Sequence, residues 1–514
     1  MSDFADASAS AELSGDAKRA RLDATATSTT HSFTALTYNI LARSLGSNTI
    51  PWCIAIDAAF RERVEAATST KWSAFKSATL TPEYKAHFHK NFAAGEYTAM
   101  RAFWAARKCA SAADLPASLP HLRFVAEDTV AYTADGAERV ATTLRGLLRQ
   151  NLPESLALEL FSHIVAAEEA VYAWAVRGPR LFSEVTRPRF GGGPPDIVAL
   201  QEYDAHEAVA RYRGDADETF AAAMDAAGWT GALFKDPKGG PQASGLGVFW
   251  RRAAFVAAAD GGGEFEGGEI ECDAGGGAFG VPARSVDMRE AWHPLGGADD
   301  DGPTPMALSD RRNAALVRLT HRASGAIVWV CAAHLMTTSR DGARTNRYPG
   351  EVRAGEFVAL RELVASEVRG GGGGGDQSGA AMLLMGDFNT PPGDAAVFEG
   401  RPPAAAAGLP PPPRLATGFS GGAFGWADAD GAPLELRDAF EGIHRWGDAP
   451  APGHCTSRNA DRTEWIDYVF HTPATLTPTA RSDTAAPDAA MPSETHPSDH
   501  LPLAVAFELR TRRV

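Results

Sequence analysis

Apolar runs that stop on a polar side chain recur along this chain. Met382-Leu383-Leu384-Met385 is one of them, four apolar residues that read as a strand buried on both faces, ended by Gly386 and by Pro391-Pro392. The same design predicts strands over 33–42, 196–202, 244–251, 313–319, 326–335, 465–470 and 498–507. Residues 83–107 and 155–176 instead space their apolar positions by three and four, as amphipathic helices do, and 50–190 as a whole reads as a mostly helical insertion after the first strand. Further helices are predicted over 205–227 and 351–369. Many short strands joined by variable loops, with a few helices, point to packed sheets with helices outside.

Low-complexity stretches set the domain picture. Residues 1–32 are rich in Ala, Ser, Thr and Asp without periodicity and read as a disordered leader, which leaves 33–514 as one domain. Flexible loops are expected over 259–303, 370–379, 400–415 and 473–498. The six glycines Gly370 to Gly375 read as linker, because no Gly-Lys-Ser/Thr follows to cradle a phosphate.

Composition narrows the class. The chain has 514 residues, 44% of them hydrophobic, and a net charge of −15. That charge disfavours a long nucleic-acid footprint, although a bound metal can make an acidic pocket locally positive. Five cysteines without a Cys-x-x-Cys pair argue against a disulfide scaffold or a zinc ribbon and suit a reducing compartment. No run approaches the about 18 apolar residues of a membrane span and no signal peptide is evident, so an intracellular protein, cytoplasmic or nuclear, is expected.

The polar groups that end the runs carry the chemistry. Asn39, Glu202, His334, Asp387 with Asn389, Asp467, and Asp499 with His500 would converge on one rim of a two-sheet sandwich. Asp387 and Asn389 point the same way if the chain stays extended, and form an ordinary Asx turn if it does not. Four carboxylates cannot share a small site as bare anions; a divalent cation resolves the conflict, and oxygen ligation without thiolate favours magnesium or manganese. Beside such a cation these groups suit phosphate-ester hydrolysis, with Asp467 fixing the tautomer of His500.

Thr37-Tyr38-Asn39-Ile40-Leu41-Ala42, Leu200-Gln201-Glu202, Ala333-His334-Leu335, Gly386-Asp387-Phe388-Asn389, Trp465-Ile466-Asp467-Tyr468 and Ser498-Asp499-His500-Leu501-Pro502-Leu503 together resemble the endonuclease/exonuclease/phosphatase superfamily. The Gly-Leu-Gly-Val-Phe-Trp segment and Arg312-Asn313-Ala314-Ala315-Leu316 look most like its CCR4 and nocturnin branch. The resemblance implies a four-layer α/β sandwich, with Glu202 as main metal ligand and Asn39 and Asp499 close to the metal. It further implies that Asp387 and Asn389 handle the attacking water and the phosphate, that His334 and His500 contact the scissile phosphate, and that Asn313 lies near the substrate. The activity implied is 3′-5′ exonucleolysis of RNA, deadenylase-like, or removal of phosphate from a small metabolite or dinucleotide. The insertion departs from the family pattern, no leucine-rich repeat offers a dock for a deadenylase complex, and the acidic charge weighs against long RNA.

Other polar residues have plainer readings. His87, His89, His121 and His163 lack a tight ligand spacing and read as helix-surface residues. Trp104 and Trp174 read as core of the insertion. Lys235, Lys238, Arg311, Arg312, Arg340, Arg344 and Arg347 flank strand ends that bear site residues; some are placed to meet phosphates, and most are expected to be solvated surface. A non-catalytic scaffold is disfavoured because it has no physical need for clustered carboxylates.

Overall fold

A computed structural model describes residues 29–41, 58–76, 151–167, 171, 174–204, 220–234, 244–257, 269–272, 283–287, 313–335, 353, 356, 357, 360, 364, 381–393, 423–427, 433–444, 452–459 and 462–511. The helices are α1 (Ala58–Thr68), α2 (Trp72–Phe75), α3 (Glu154–Ala167), α4 (Trp174–Thr186) and α5 (Phe220–Ala226). The strands run β1 (Thr29–Asn39), β2 (Ile197–Asp204), β3 (Trp229–Phe234), β4 (Ser244–Arg251), β5 (Phe255–Ala257), β6 (Glu269–Cys272), β7 (Ala283–Asp287), β8 (Asn313–His321) and β9 (Ile327–His334). They continue as β10 (Ala381–Asp387), β11 (Ala423–Ala427), β12 (Pro433–Asp438), β13 (Ser457–Asn459), β14 (Arg462–Glu464), β15 (Asp467–His471), β16 (Leu476–Arg481) and β17 (Leu503–Thr511).

Two mixed sheets pack face to face. One is ordered β16-β17-β1-β2-β4-β3-β6, the other β11-β12-β15-β10-β9-β8-β5 with β7 also on β8, and β13-β14 forms a separate hairpin. Strand alternation explains why the central strands are apolar throughout. Phe33, Ala35, Ile197, Ala199, Val248 and Trp250 join the inter-sheet core with Val330, Leu384 and Val469. Their neighbours Leu36, Tyr38, Val198, Leu200 and Phe249 face the other way, onto Leu181 and Val185 of α4 and Phe220 and Met224 of α5. On the second sheet, helical positions Arg353, Glu356, Phe357, Leu360 and Val364 are all buried, and the ring of Phe357 meets that of Phe388 with centroids 6.2 Å apart. This is an α/β sandwich of helix, sheet, sheet and helix.

Several boundaries differ from the sequence reading. β1 begins at Thr29 rather than at Phe33, because Thr29 to Ser32 pair with Thr511 to Glu508 of β17; residues 1–28 lie outside the described residues. Residues 473–498 are not simply a loop: β16 lies within them as an edge strand beside β17, and its register shifts between Pro478 and Ala480. Proline is tolerated there because an edge strand or bulge needs no N–H from it. The 259–303 stretch contributes β6 and β7. Residues 370–379 and 400–415 lie outside the described residues, as do 77–150 of the insertion; α1, α2 and α3 are its described elements before α4 leads into β2. Among the described residues no helix is long and apolar enough to cross a membrane.

Candidate active site

Sheet register brings the site together. Asp387, at the end of β10, pairs with His334 at the end of parallel β9 and with Asp467 at the start of antiparallel β15. Asn39 ends β1 on the facing sheet, and Glu202 lies near the end of β2. An antiparallel strand that starts where its neighbour stops delivers its first residue to the same rim, as β15 does with Asp467.

Glu202 reaches this rim through a bulge. The β2–β4 register shifts between Gln201 and Tyr203, and Glu202 has φ +56°. Past the bulge Tyr203 joins Leu200 on the outer face, and the extra residue between them is re-aimed toward Asn39. A non-glycine residue in the left-handed region is costly, and such strain gathers at functional sites. Asn389 shares it, with φ +47°. The extended chain therefore does not persist past Asp387.

Gly386 explains the tight approach of β9 and β10. Its φ is +151°, and a Cβ there would lie 1.9 Å from the carbonyl oxygen of Ala333.

The two oxygens of Asp387 do different things. Oδ1 accepts the backbone N–H of Asn389 at 2.8 Å, an Asx turn. Oδ2 accepts from Nδ2 of Asn39 at 2.9 Å and lies 3.6 Å from His334 Nε2 and 3.8 Å from His500 Nε2. The Asn39 amide also donates to Glu202 Oε1 at 3.1 Å, which in turn lies 3.8 Å from His334 Nε2. Asn39 Oδ1 accepts from Leu41 N–H, and its Nδ2 clamps the two carboxylates. Asn389 Nδ2 donates to Leu335 O at 2.9 Å, tying the turn to β9.

His500 completes the centre. Its Nδ1 lies 2.8 Å from Asp467 Oδ2, and Thr456 Oγ1 fixes the Asp467 backbone by accepting the N–H groups of Ile466 and Asp467. Ser498 Oγ donates to Asn39 O at 2.6 Å and accepts from His500 N–H, joining the last motif to the first. Arg177 of α4 donates to the carbonyls of Ile40, Leu41 and Pro497, bracing the same junction.

Charge crowding is visible in the proton affinities. Burial, then the neighbouring Asp467, raises Asp387 well above the ordinary carboxylate range. Burial opposes charge on His500, but Asp467, Asp499 and Asp387 outweigh it and raise the imidazole above its usual value.

A divalent cation fits this donor set. Asp387, Asp467 and His500 bring ligand atoms within 4.8 Å of one another, and Oδ1 of Asp499 is buried with no hydrogen-bond partner among the described residues. Glu202 Oε1, 3.8 Å from His334 Nε2, and Asp499 Oδ1, 3.9 Å from His500 Nε2, carry further carboxylate oxygens beside this group.

Asn313 opens β8 one residue before Ala314, whose partner Ala333 precedes His334, so the register continued by one step puts it opposite His334; its side chain lies outside the described residues. So do Lys235, Lys238, Arg311, Arg312, Arg340, Arg344, Arg347, His87, His89, His121 and Trp104. His163 is exposed on α3. Two residues that the sequence reading did not single out do reach the site: Asn459 Nδ2 donates to Asp499 Oδ2 at 3.4 Å and Arg462 Nη2 at 3.3 Å. Both sit in the polar segment 457–464, which has no apolar pattern to mark it.

A sequence profile described as Endonuclease/Exonuclease/phosphatase family matches residues 173–500, from the start of α4 through His500, with Asn39 lying before it. Similar solved structures include the human Nocturnin catalytic domain with bound sulfate, 17% identical, covering 66% of this chain and 87% of that one, TM-score 0.39. ANGEL2, a 2′,3′-cyclic phosphatase in complex with adenosine-2′,3′-vanadate, is 17% identical over 66% of this chain and 87% of that one, TM-score 0.41. The mannosyl-6-phosphatase Bt3783 of Bacteroides thetaiotaomicron is 14% identical over 65% and 91%, TM-score 0.35. No curated protein sequence matches the chain. The match over 173–500 spans well over half of the chain and takes in Glu202, His334, Asp387, Asn389, Asp467, Asp499 and His500: the chain belongs to the endonuclease/exonuclease/phosphatase family.

Proposed function

We propose that this phosphoesterase hydrolyses the terminal phosphodiester at the 3′ end of RNA with a divalent cation, magnesium first. The observation that carries the hydrolytic reading is the convergence of Asn39, Glu202, His334, Asp387, Asp467 and His500 on one buried rim. A cation held by Glu202 and Asp499, beside Asp387, would polarise a phosphoryl oxygen and offset the crowded carboxylates. Asp387 orients the attacking water through Oδ2, which Asn39 holds in place. His500 donates from Nε2 to the phosphate while Asp467 keeps the proton on Nδ1. His334, across Asp387 from His500, supplies the second donor to charge that grows in the transition state. Asn389 locks the turn that aims Asp387.

A second reading, a small phosphorylated metabolite or dinucleotide, is favoured by the net charge of −15, which repels long polyanions. The test is incubation with magnesium and three substrates: 3′-labelled oligo(A), mixed-sequence RNA and a 2′-phosphorylated dinucleotide. Shortening of either RNA supports the first reading, and release of phosphate from the dinucleotide alone supports the second. No product with magnesium or manganese would sink both.

A further inference from the structure

We infer that Arg462 is a phosphate-recognising residue of this site, a fixed guanidinium that holds a non-bridging oxygen of the substrate phosphate beside Nε2 of His500. The inference rests on the phosphoesterase reading above and adds a specificity contact that the strand-end motifs do not contain.

The guanidinium is held in place from two sides. Nε donates to Ser457 Oγ at 3.1 Å across the β13–β14 hairpin, and Nη2 donates to Asp499 Oδ2 at 3.3 Å. Nη2 also lies 3.2 Å from His500 Nε2. That ring nitrogen is the one that faces the site, because Nδ1 is committed to Asp467. Arg462 therefore stands where the imidazole would meet a phosphate. Nη1 makes no hydrogen bond among the described residues, and the side chain remains 25% exposed while that of Asp499 is 6% exposed. One edge of the guanidinium is anchored and the other is presented to whatever enters.

The plainer alternative is that Arg462 only neutralises Asp499. A counter-ion alone needs no second anchor, yet Ser457 fixes the plane of the group and itself donates to the backbone oxygen of Asp499. A guanidinium anchored in this way presents Nη1 to a phosphate oxygen in a fixed position, which the flexible ammonium of a lysine cannot match.

The test is binding of inorganic phosphate to the full chain by titration calorimetry, with and without magnesium, alongside turnover of the substrates above. Arg462→Gln and Arg462→Lys are compared with Arg458→Gln, a charge-matched control on the same hairpin whose side chain donates instead to Asp488 O. Near-ultraviolet circular dichroism checks that each variant is folded. Arg462→Gln should weaken phosphate at least about tenfold, Arg462→Lys should restore only part of it, and Arg458→Gln should change it less than about threefold. Equal losses in the Gln variants would assign the effect to long-range charge and overturn the inference. So would unchanged phosphate affinity in Arg462→Gln, or a wild type that binds no phosphate. A wild type that binds phosphate through Arg462 but hydrolyses nothing would leave this contact standing and remove the proposed function.

Discussion

His500 Nδ1 and Asp467 Oδ2 lie 2.8 Å apart, both side chains almost wholly buried, although 33 residues separate them in sequence. The carboxylate fixes which ring nitrogen carries a proton. Asp467→Asn should keep the shape and lose that control, lowering kcat by about 10³ to 10⁴ with KM nearly unchanged. Stability should fall little, because the replacement fills the same space and Thr456 still holds the backbone. A folded variant that stays within a few fold of wild type would remove the pair from the mechanism.

If the crowded acidic groups hold a cation as proposed, the fold should answer to it. Adding magnesium to chelator-treated protein should raise Tm, since a ligand of the native state alone stabilises it by mass action. Glu202→Ala should abolish both the rise and the hydrolytic activity. The bulge at Glu202 makes this variant safe to interpret, because the side chain has left the outer apolar face where Tyr203 packs. A full magnesium-induced Tm rise in Glu202→Ala would show that Glu202 does not hold the ion.

These residues show what the sequence could and could not reveal. The buried strands were legible because both faces are covered, which makes β2, β9 and β10 continuous apolar runs with a polar stop. Extended geometry misplaced Asn389: the Asx turn and the functional carboxylate had stood as alternatives, whereas Asp387 uses one oxygen for each. β16 was hidden by Pro478, a residue that argues against a central strand but not against an edge. Arg462 and Arg177 were missed for another reason. Their hydrogen bonds cross 37 and 136 residues to Asp499 and Leu41, and neither lies at the end of an apolar run.

Close approach at Gly386 yields a stability prediction. A methyl group at φ +151° would meet the Ala333 carbonyl at 1.9 Å, a backbone atom that cannot move without separating β9 from β10. Gly386→Ala should cost at least about 2 kcal/mol in chemical denaturation and displace both His334 and Asp387. A variant as stable and active as wild type would mean that the sheet absorbs the shift.

His471 should make stability fall on acidification independently of the active site. It lies on β15 against Phe507, with ring centroids 5.4 Å apart, and burial lowers its pKa from 6.5 to about 4. Asp438 nearby pulls the other way, as does its bond to the Arg437 backbone, while the charges of Arg437 and Arg481 add to the lowering. Between pH 6.5 and about 4 the unfolded chain takes up a proton that the folded chain refuses, so stability is complete above 6.5 and declines as pH falls through that window. At about 1.4 kcal/mol per pKa unit the decline attributable to this residue approaches about 3 kcal/mol. His471→Gln removes the titrating ring and should flatten the urea-midpoint profile over that window relative to wild type. The difference between the two profiles cancels the carboxylates and histidines of the active site, which both proteins retain. Parallel profiles would show that His471 is protonated as easily in the fold as outside it.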